Sequence, residues 1–390
     1  MDGRLVTELI SHYRLSGVLI AEEPLHIGSG RRTGVIKHSL PYIPGSFIRG
    51  AVGSALVKAV CKLDRPLADH EGCPHYDDCA YVRLFEKSHK SSRIFFRYAY
   101  PLHLKCGGLY RPAPKTMYKC ENSQCGKVFD ALIPPDKCDA CGGRVKPYRG
   151  FICDKCQEEE SSPIRLSRFT STAIDRARGA AAMIPGPKEA AGTLHTLEAI
   201  PKGSKFHLEA IIHRDLADDL ELLKAVIERG LPDEGMGGSR SRGFGKVSIQ
   251  DLDIKPVEVE MVERRANRID VSRFSVQALS PLILSSVLEA RTLLEGARRA
   301  YSWVFHEGKP ILPDVTLEAS RLSVEPYSGW SQKEDRPRRI YQAMTAGSIF
   351  QFKCEGEAGL LSKALAALEV YPLGDYKPHG CGQLAIGTPR

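Results

Sequence analysis

Two stretches of the chain repeat one order of apolar and polar positions. Each begins with a strand-like run that closes on Pro-Leu: "YRLSGVLIAEEPLHIG", with Pro24-Leu25, and "SRFSVQALSPLILSS", with Pro281-Leu282. Each later opens an alternating strand with Gly-Ser-x-Phe, at Gly203 to Phe206 and Gly347 to Phe350, and then turns helical. In the first predicted helix Leu216, Leu220, Leu223 and Ile227 recur at spacings of four, three and four, one apolar stripe on a 3.6-residue period. Asp215, Asp218 and Asp219 crowd its first turns, and Gly230 is placed to end it, as the helix dipole and a left-handed C-cap favour. Leu361, Leu365 and Leu368 carry the stripe in the second. Both stretches close on a glycine loop and a strand, Gly243-Phe244-Gly245-Lys246-Val247 and Gly380-Cys381-Gly382-Gln383-Leu384. The repeat predicts an α+β fold of two tandem ferredoxin-like, RRM-like domains over residues 12–255 and 268–390, separated by the charged "KPVEVEMVERRANRID". The first domain is longer than this fold requires. Its excess, between about residues 73 and 163, is where the paired cysteines are concentrated and predicts an insertion.

Composition narrows the class. Hydrophobic content of 42% against 26% charged residues is that of a globular protein. No apolar run approaches the ~18 residues that span a bilayer, and "MDGRLVTELI" lacks the apolar core of a signal peptide. A cytoplasmic protein is expected. The formal net charge of +8 is moderate, so the placement of the cations says more than their sum. "GSGRRTG", "SRSRGFGK" and "EDRPRRI" set them beside glycine, serine or proline rather than on helical faces.

Two of the glycine-rich places suit a polyanion. "PYIPGSFIRGAVGSALVKAV" predicts a helix capped by Ser46, with Val52, Leu56, Ala59 and Leu63 on its apolar face and Arg49 one turn in. Its N-terminus would offer free N–H groups to a phosphate. In "GMGGSRSRGFGKV", Gly235, Gly237, Gly238, Gly243 and Gly245 would let bare main chain approach a sugar-phosphate backbone. Arg240, Arg242 and Lys246 supply charge, and Ser239 and Ser241 can donate to phosphate or 2′-hydroxyl oxygens.

These two stretches, in this order, resemble the signature pair of the RAMP superfamily of CRISPR-associated proteins. "RIFFRYAYPL", "CDACGGRVKPYRGF", "TSTAID" and "GTLHTLEAIPKGSKFHLEAI" further resemble, in sequence, the Csx-ten subunits of type III-D effectors, which are of the Cas-five type. The resemblance runs from about Tyr13 to the C-terminus. It implies a non-catalytic RNA-binding subunit that holds the 5′ repeat tag of a guide RNA (crRNA) and meets target RNA. Its implied partners are other RAMP backbone subunits and the large signalling subunit of a type III CRISPR complex in antiviral defence. The implied RNA-binding residues are Arg31, Arg32, His38, Ser46, Arg49 and the loop set Gly237, Gly238, Ser239, Arg240, Ser241, Arg242, Gly243, Gly245 and Lys246. Arg176, beside Asp175, would stand on a protruding hairpin. Lys377 and His379 are the only cations close to Gly380 and Gly382, so that copy is the weaker.

Family members that cut target RNA carry an acid in the loop before the Pro-Gly-Ser helix. Residues 28–46 contain neither Asp nor Glu, which favours a subunit that binds without cutting. His38 is the loop's only side chain that titrates near neutrality, and it sustains the alternative of a guide-processing or target-cutting endoribonuclease. A second alternative is a zinc-ribbon protein-interaction module with no RNA role.

Without a secretory signal, the cysteines point to metal rather than disulfides. Eight of the twelve fall in close pairs: Cys73/Cys79, Cys120/Cys125, Cys138/Cys141 and Cys153/Cys156. Cys120, Cys125, Cys138 and Cys141 would hold a structural Zn²⁺, with Gly126, Gly142 and Gly143 permitting the turns. Cys138, Cys141, Cys153 and Cys156 also have ribbon spacing; the resemblance favours the first set. Cys153 and Cys156 would then join Cys73 and Cys79 in a second site, with His75 and His103 as spare ligands. Cys61, Cys354 and Cys381 read as packed thiols.

Overall fold

The computed structural model describes residues 9–64, 70, 72–86, 93–184, 191–192, 194–331, 336–356 and 359–387. Strand β1 (Ile10–Ala21) leads to a hairpin of β2 (Gly28–Thr33) and β3 (Ile36–Ser39), helix α1 (Gly45–Val60) and β4 (Ile94–Phe96). After a long excursion come β5 (Ser167–Ser171), β6 (His195–Ala199) and β7 (Lys205–His213). A helical run over residues 214–234, with α2 (Leu220–Ala225) inside it, precedes β8 (Val247–Glu258). The main sheet of this half has the order β8-β1-β7-β4, antiparallel throughout. Ranked along the chain, its strands lie 4-1-3-2, with a helical segment after the first and third, which is the ferredoxin-like plan.

Helix α3 (Val259–Ala266) then leads to β9 (Arg273–Ala278), α4 (Ala290–Phe305), β10 (Val315–Arg321), β11 (Ile349–Cys354), α5 (Gly359–Val370) and β12 (Leu384–Gly387). The order β10-β11-β9-β12 is the same plan seen from the other edge. Each half has its own core. Leu15, Leu19, Ile48, Val52, Phe96, Phe206 and Ile227 form one cluster, and Phe274, Val276, Leu293, Phe350, Phe352 and Leu365 belong to the other.

The repeat extends to single hydrogen bonds. In the first glycine loop a left-handed Ser239 precedes a 3₁₀ turn, Arg240–Arg242, and a left-handed Gly243; in the second, Tyr376, Lys377–His379 and Gly380 do the same. Gly245 N–H donates to Pro24 O and Gly382 N–H to Pro281 O, each at 2.9 Å. The Pro-Leu and Gly-x-Gly signatures are thus two ends of one contact, present twice.

Several element boundaries differ from the pattern-based expectation. Pro44, not Ser46, is the N-cap of α1; the buried stripe is Ile48, Ala51, Val52, Ala55 and Leu56, and the helix stops at Val60, before Leu63. Ala59 faces solvent. Gly230 does not end the first long helical run. It keeps helical φ and ψ, while Gly235, at φ 67°, is the cap. Room is the reason: a Cβ on Gly230 would meet Ala55 Cβ at 3.1 Å, so this glycine serves helix–helix packing. The expected linker is instead the end of β8 followed by α3, whose Val262 and Ala266 join the second core.

The predicted insertion also looks different. Ile94–Phe96 lies inside it yet forms the edge strand β4. Ile94, Phe95 and Phe96 are all buried, so no alternation marks them as a strand. The body of the excursion is two small sheets. One contains Gly108–Pro112 and Phe151–Cys153, and the other Met117–Cys120, Val128–Asp130 and Val145–Pro147. Its core is only Ala113, Met117 and Tyr148, with Val128 and Ile152 against them. It leans on the second half, where Lys115 N–H donates to Gly347 O at 2.8 Å and Arg321 Nε donates to Leu132 O at 2.7 Å.

Candidate nucleic-acid interface and metal centres

A second four-stranded sheet, β5-β6-β3-β2, flanks the first half and meets the glycine loop. β3 pairs with β6 in parallel, Thr196 opposite Ile36, and β5 pairs with β6 antiparallel. This brings Arg32 and Lys37 to the face that carries Phe169 and His195, while Arg168, also exposed, lies on the opposite face with Glu198 and His38. The loop joins the first face through two contacts. Arg242 Nη1 lies 3.0 Å from His195 Nε2, and Phe244 packs edge-on against Phe169 at 5.1 Å between centroids. Ser171 Oγ is 2.9 Å from the same His195 nitrogen.

Within the loop, the glycines serve the chain first. A Cβ on Gly237 would stand 2.7 Å from His26 O, on Gly235 2.8 Å from Gly245 O, and on Gly245 2.5 Å from Met236 O. These are slim because the loop crosses itself and β1's exit, not because a polynucleotide needs the space. Gly243 differs: it has φ 83°, and a Cβ there would have nothing within 4 Å. The exposed tip is therefore Arg240 to Gly243, followed by Lys246. Arg240 is already engaged, donating to Glu234 O at 2.9 Å and pairing with the Glu234 carboxylate. Burial pushes that carboxyl up, but hydrogen bonds from Lys58, Arg240 and Ser54 outweigh it and hold it below its ordinary value. Arg242 faces the flanking sheet.

His38 has the partner that its own loop lacks. Its Nδ1 is 2.9 Å from Glu198 Oε2 on β6, and its Nε2 is 2.9 Å from Thr33 Oγ1. Arg168 Nη2 donates to the other Glu198 oxygen at 3.1 Å. Glu198 is buried, which raises its pKa, yet the hydrogen bonds from His38 and Arg168 bring it below the ordinary glutamate value. Sequence reasoning missed Lys37, Arg168, Phe169, His195 and Glu198. The available signal was the alternation of cation, aromatic and hydroxyl in "SRFTST", which runs into the "TSTAID" motif.

Other expected contacts are turned elsewhere. Arg49 lies over the Phe85 ring at 4.6 Å and donates Nη2 to Phe85 O, and its Nη1 is buried without a hydrogen-bond partner among the described residues. The start of α1 is closed to a phosphate by main chain, since a Cβ on Gly45 would be 2.1 Å from Phe96 O and 2.9 Å from His379 O. Ser46 sits inside that first turn. His379 is buried, with Arg338 Nη1 3.2 Å from its ring, and Lys377 caps Gly374 O beside Tyr371. The second glycine loop is thus packed against α1. Arg31 pairs with Glu325 of the second half at 2.9 Å. On the hairpin, Arg176 is exposed, and the ion pair of Asp175 is with Arg178, at 3.7 Å, rather than with Arg176.

The cysteines form two groups among the described residues, each with four ligand atoms within 4.8 Å of one another. Cys120, Cys125, Cys138 and Cys141 make the first, with Cys120 and Cys141 Sγ at 3.4 Å and Cys125 and Cys138 Sγ at 3.9 Å. A thiolate tetrahedron around Zn²⁺, at about 2.3 Å per bond, has edges of about 3.8 Å, so the donor set fits a metal of that kind. The mixed register, Cys138 and Cys141 with Cys153 and Cys156, does not occur. Cys153 and Cys156 instead meet His103 and Cys106. Cys73 and Cys79 belong to neither group; they line a separate cavity of about 170 Å³ with Cys61, His70 and His75. The expected second site is corrected accordingly. Antiparallel pairing of Phe151–Cys153 with Gly108–Pro112 carries "CDKC" to the "HLKC" turn, a proximity that no local spacing announces.

Two ferredoxin-like units, each closed by the same glycine loop on its Pro-Leu strand, define a tandem RRM-like architecture. The chain belongs to the RAMP superfamily, whose family model matches residues 18–248, more than half its length. A CRISPR system Cms endoribonuclease Csm3 from Methanothermobacter thermautotrophicus is 25% identical over 280 residues, covering 67% of this chain and 94% of that protein. The protein of the same name from Methanocaldococcus jannaschii is 38% identical over 71 residues, 17% of this chain, and the match spans 29% of that relative. Among solved structures, a Cas6 product complex aligns with 96% of this chain and 99% of its own at 10% identity, with a TM-score of 0.42. A type III-B Cmr-beta complex bound to cognate target RNA and AMPPnP aligns over 87% and 86% at 11% identity, with a TM-score of 0.41. No helix among the described residues is long and apolar enough to cross a membrane.

Proposed function

We propose that this chain is a non-catalytic RNA-binding subunit of a type III CRISPR effector complex, working in the cytoplasm. It holds the 5′ repeat tag of the crRNA, and its neighbours are other RAMP subunits and the large signalling subunit. The observation that carries this reading is the face on which Arg32 and Lys37 lie with Phe169 and His195, and onto which the glycine loop brings Arg242 and Phe244. Guanidinium and ammonium groups of this kind bind a phosphate backbone, and neighbouring rings give unstacked bases a surface. Family membership and the endoribonuclease name of the CRISPR relative matched over most of its length support RNA as that polyanion. The ordered motifs shared with Csx-ten subunits support the type III-D placement. The Cys120, Cys125, Cys138, Cys141 group is a structural zinc site in this reading, with residues 12–255 and 268–390 as its two domains. Purification with a co-expressed CRISPR array tests it: bound RNA with one uniform 5′ end is expected, and RNA with ragged ends, or none, overturns it.

One specific observation favours a second reading, an endoribonuclease. The Glu198 carboxylate orients His38 as a general base would need. Incubation of repeat RNA and target RNA with the purified protein decides between them. The expected outcome is intact RNA; cleavage that disappears in His38→Ala would establish the enzyme.

A further inference from the structure

The group at His103, Cys106, Cys153 and Cys156 differs from the four-cysteine group in composition and in place. His103 Nδ1 is 3.3 Å from both Cys106 Sγ and Cys156 Sγ, and Cys106 Sγ is 3.4 Å from Cys153 Sγ. The other ring nitrogen, Nε2, is buried and lies 3.4 Å from Glu158 Oε2, the side on which a ligating imidazole wants a carboxylate.

An independent backbone feature points the same way. The turn that follows the second ligand is the same at all four ligand pairs of the excursion. Gly126 N–H donates to Asn122 O, Gly142 to Cys138 O, Gly107 to His103 O and Gln157 to Cys153 O, at 2.8 to 3.0 Å. The donating residue is left-handed each time, with φ of 55°, 69°, 67° and 62°. Gln157 adopts this conformation without being glycine, where it is unfavourable for a side chain. Gly108, finally, has no room for a Cβ, which would stand 2.6 Å from Cys153 Sγ.

We infer that His103, Cys106, Cys153 and Cys156 form a second, separate zinc site, with three thiolates and one imidazole, that fastens the entry of the excursion to its exit. Cys106 and Cys153 are 47 residues apart in sequence, and the four-cysteine group lies wholly within that span. The inner metal shapes the tip. The outer one closes the loop at its root, where Tyr110 pairs with Cys153 and Pro101 bridges to Phe206 of the main sheet. This inference does not depend on RNA binding.

The full chain, purified without chelator, should contain two zinc ions by elemental analysis. Zinc X-ray absorption should show seven thiolates and one imidazole shared over them. Cys138→Ser/Cys141→Ser should retain one zinc with the mixed shell, and Cys153→Ser/Cys156→Ser one zinc with sulfur alone. In the latter variant, amide exchange should speed up over residues 108–112 and 151–153 while β1 and β7 keep their protection. One zinc per wild-type chain, or a spectrum without imidazole, overturns the proposal. Both are read on the unmutated protein, so a variant that fails to fold does not shelter it.

Discussion

Gly237 and Gly243 share one loop and one sign of φ, yet each is glycine for its own reason. An added methyl at Gly237 meets a left-handed backbone and a main-chain oxygen 2.7 Å away, whereas at Gly243 it meets the backbone penalty alone. Gly237→Ala should cost about 3 kcal/mol and Gly243→Ala about 1 to 2 kcal/mol, read from denaturant midpoints; equal losses would refute the distinction. The arginines separate in the same way. Arg242→Ala should weaken RNA binding and lower the salt slope by about one unit, with little change in stability. Arg240→Ala should cost about 1 kcal/mol of stability, because a largely buried Glu234 loses a partner that is itself half exposed. A binding loss confined to Arg240→Ala would reverse this assignment.

Among the elements, legibility followed the range of the forces involved. The two ferredoxin-like units, three of their helical segments and both glycine loops were readable because period and turn chemistry are local. Leu361, Leu365 and Leu368 are all buried as their spacing demands. What was not readable depends on partners distant in sequence. Glu198 reaches His38 across 160 positions, and Cys106 meets Cys153 only because the strands beside them pair. The expected linker hid α3 because its charges looked like solvent exposure, although Arg265 holds Glu369 of α5 with two hydrogen bonds of 2.7 and 2.9 Å. Breaking that pair with Arg265→Ala should lower stability by about 2 kcal/mol in urea titration, since a half-buried carboxylate is left behind. An unchanged midpoint would mean that this ion pair adds nothing to the hold of α3 on the second half. The excursion is the extreme case. Its few buried apolar side chains are worth about 1.5 to 3 kcal/mol each, against about 1 to 2 kcal/mol of backbone entropy for every residue ordered. In the proposed zinc sites, metal-ligand bonds make up the difference.

At the scale of the whole molecule, a histidine cluster joins the two halves. His12 on β1 and His213 at the end of β7 face Trp303 and His306 of α4's end, and His306 Nε2 lies 3.0 Å from Ser11 O. Burial lowers His12 to about 3 and His213 to about 4, the latter despite the raising pull of Asp215. Arg97 and Arg14 add to the lowering at His12, against Glu209. Both rings therefore stay neutral in the folded protein while the unfolded chain takes up protons below about 6.5. Their effect on stability is nil above that pH and grows more adverse as acid is added, by up to about 2 kcal/mol for each ring at pH 5. Melting temperature should fall between pH 7 and 5, and His12→Gln should flatten the fall; a parallel profile would exclude His12 as its source. Gly347 sets a further consequence. The carbonyl of Ala113 rests where its Cβ would be, so the cysteine-rich arm touches the far lobe, while the matching corner at Gly203 stands open. The arm thus bridges the seam on one side only, and a push on its outer end is carried into the second lobe through Gly347 and Arg321.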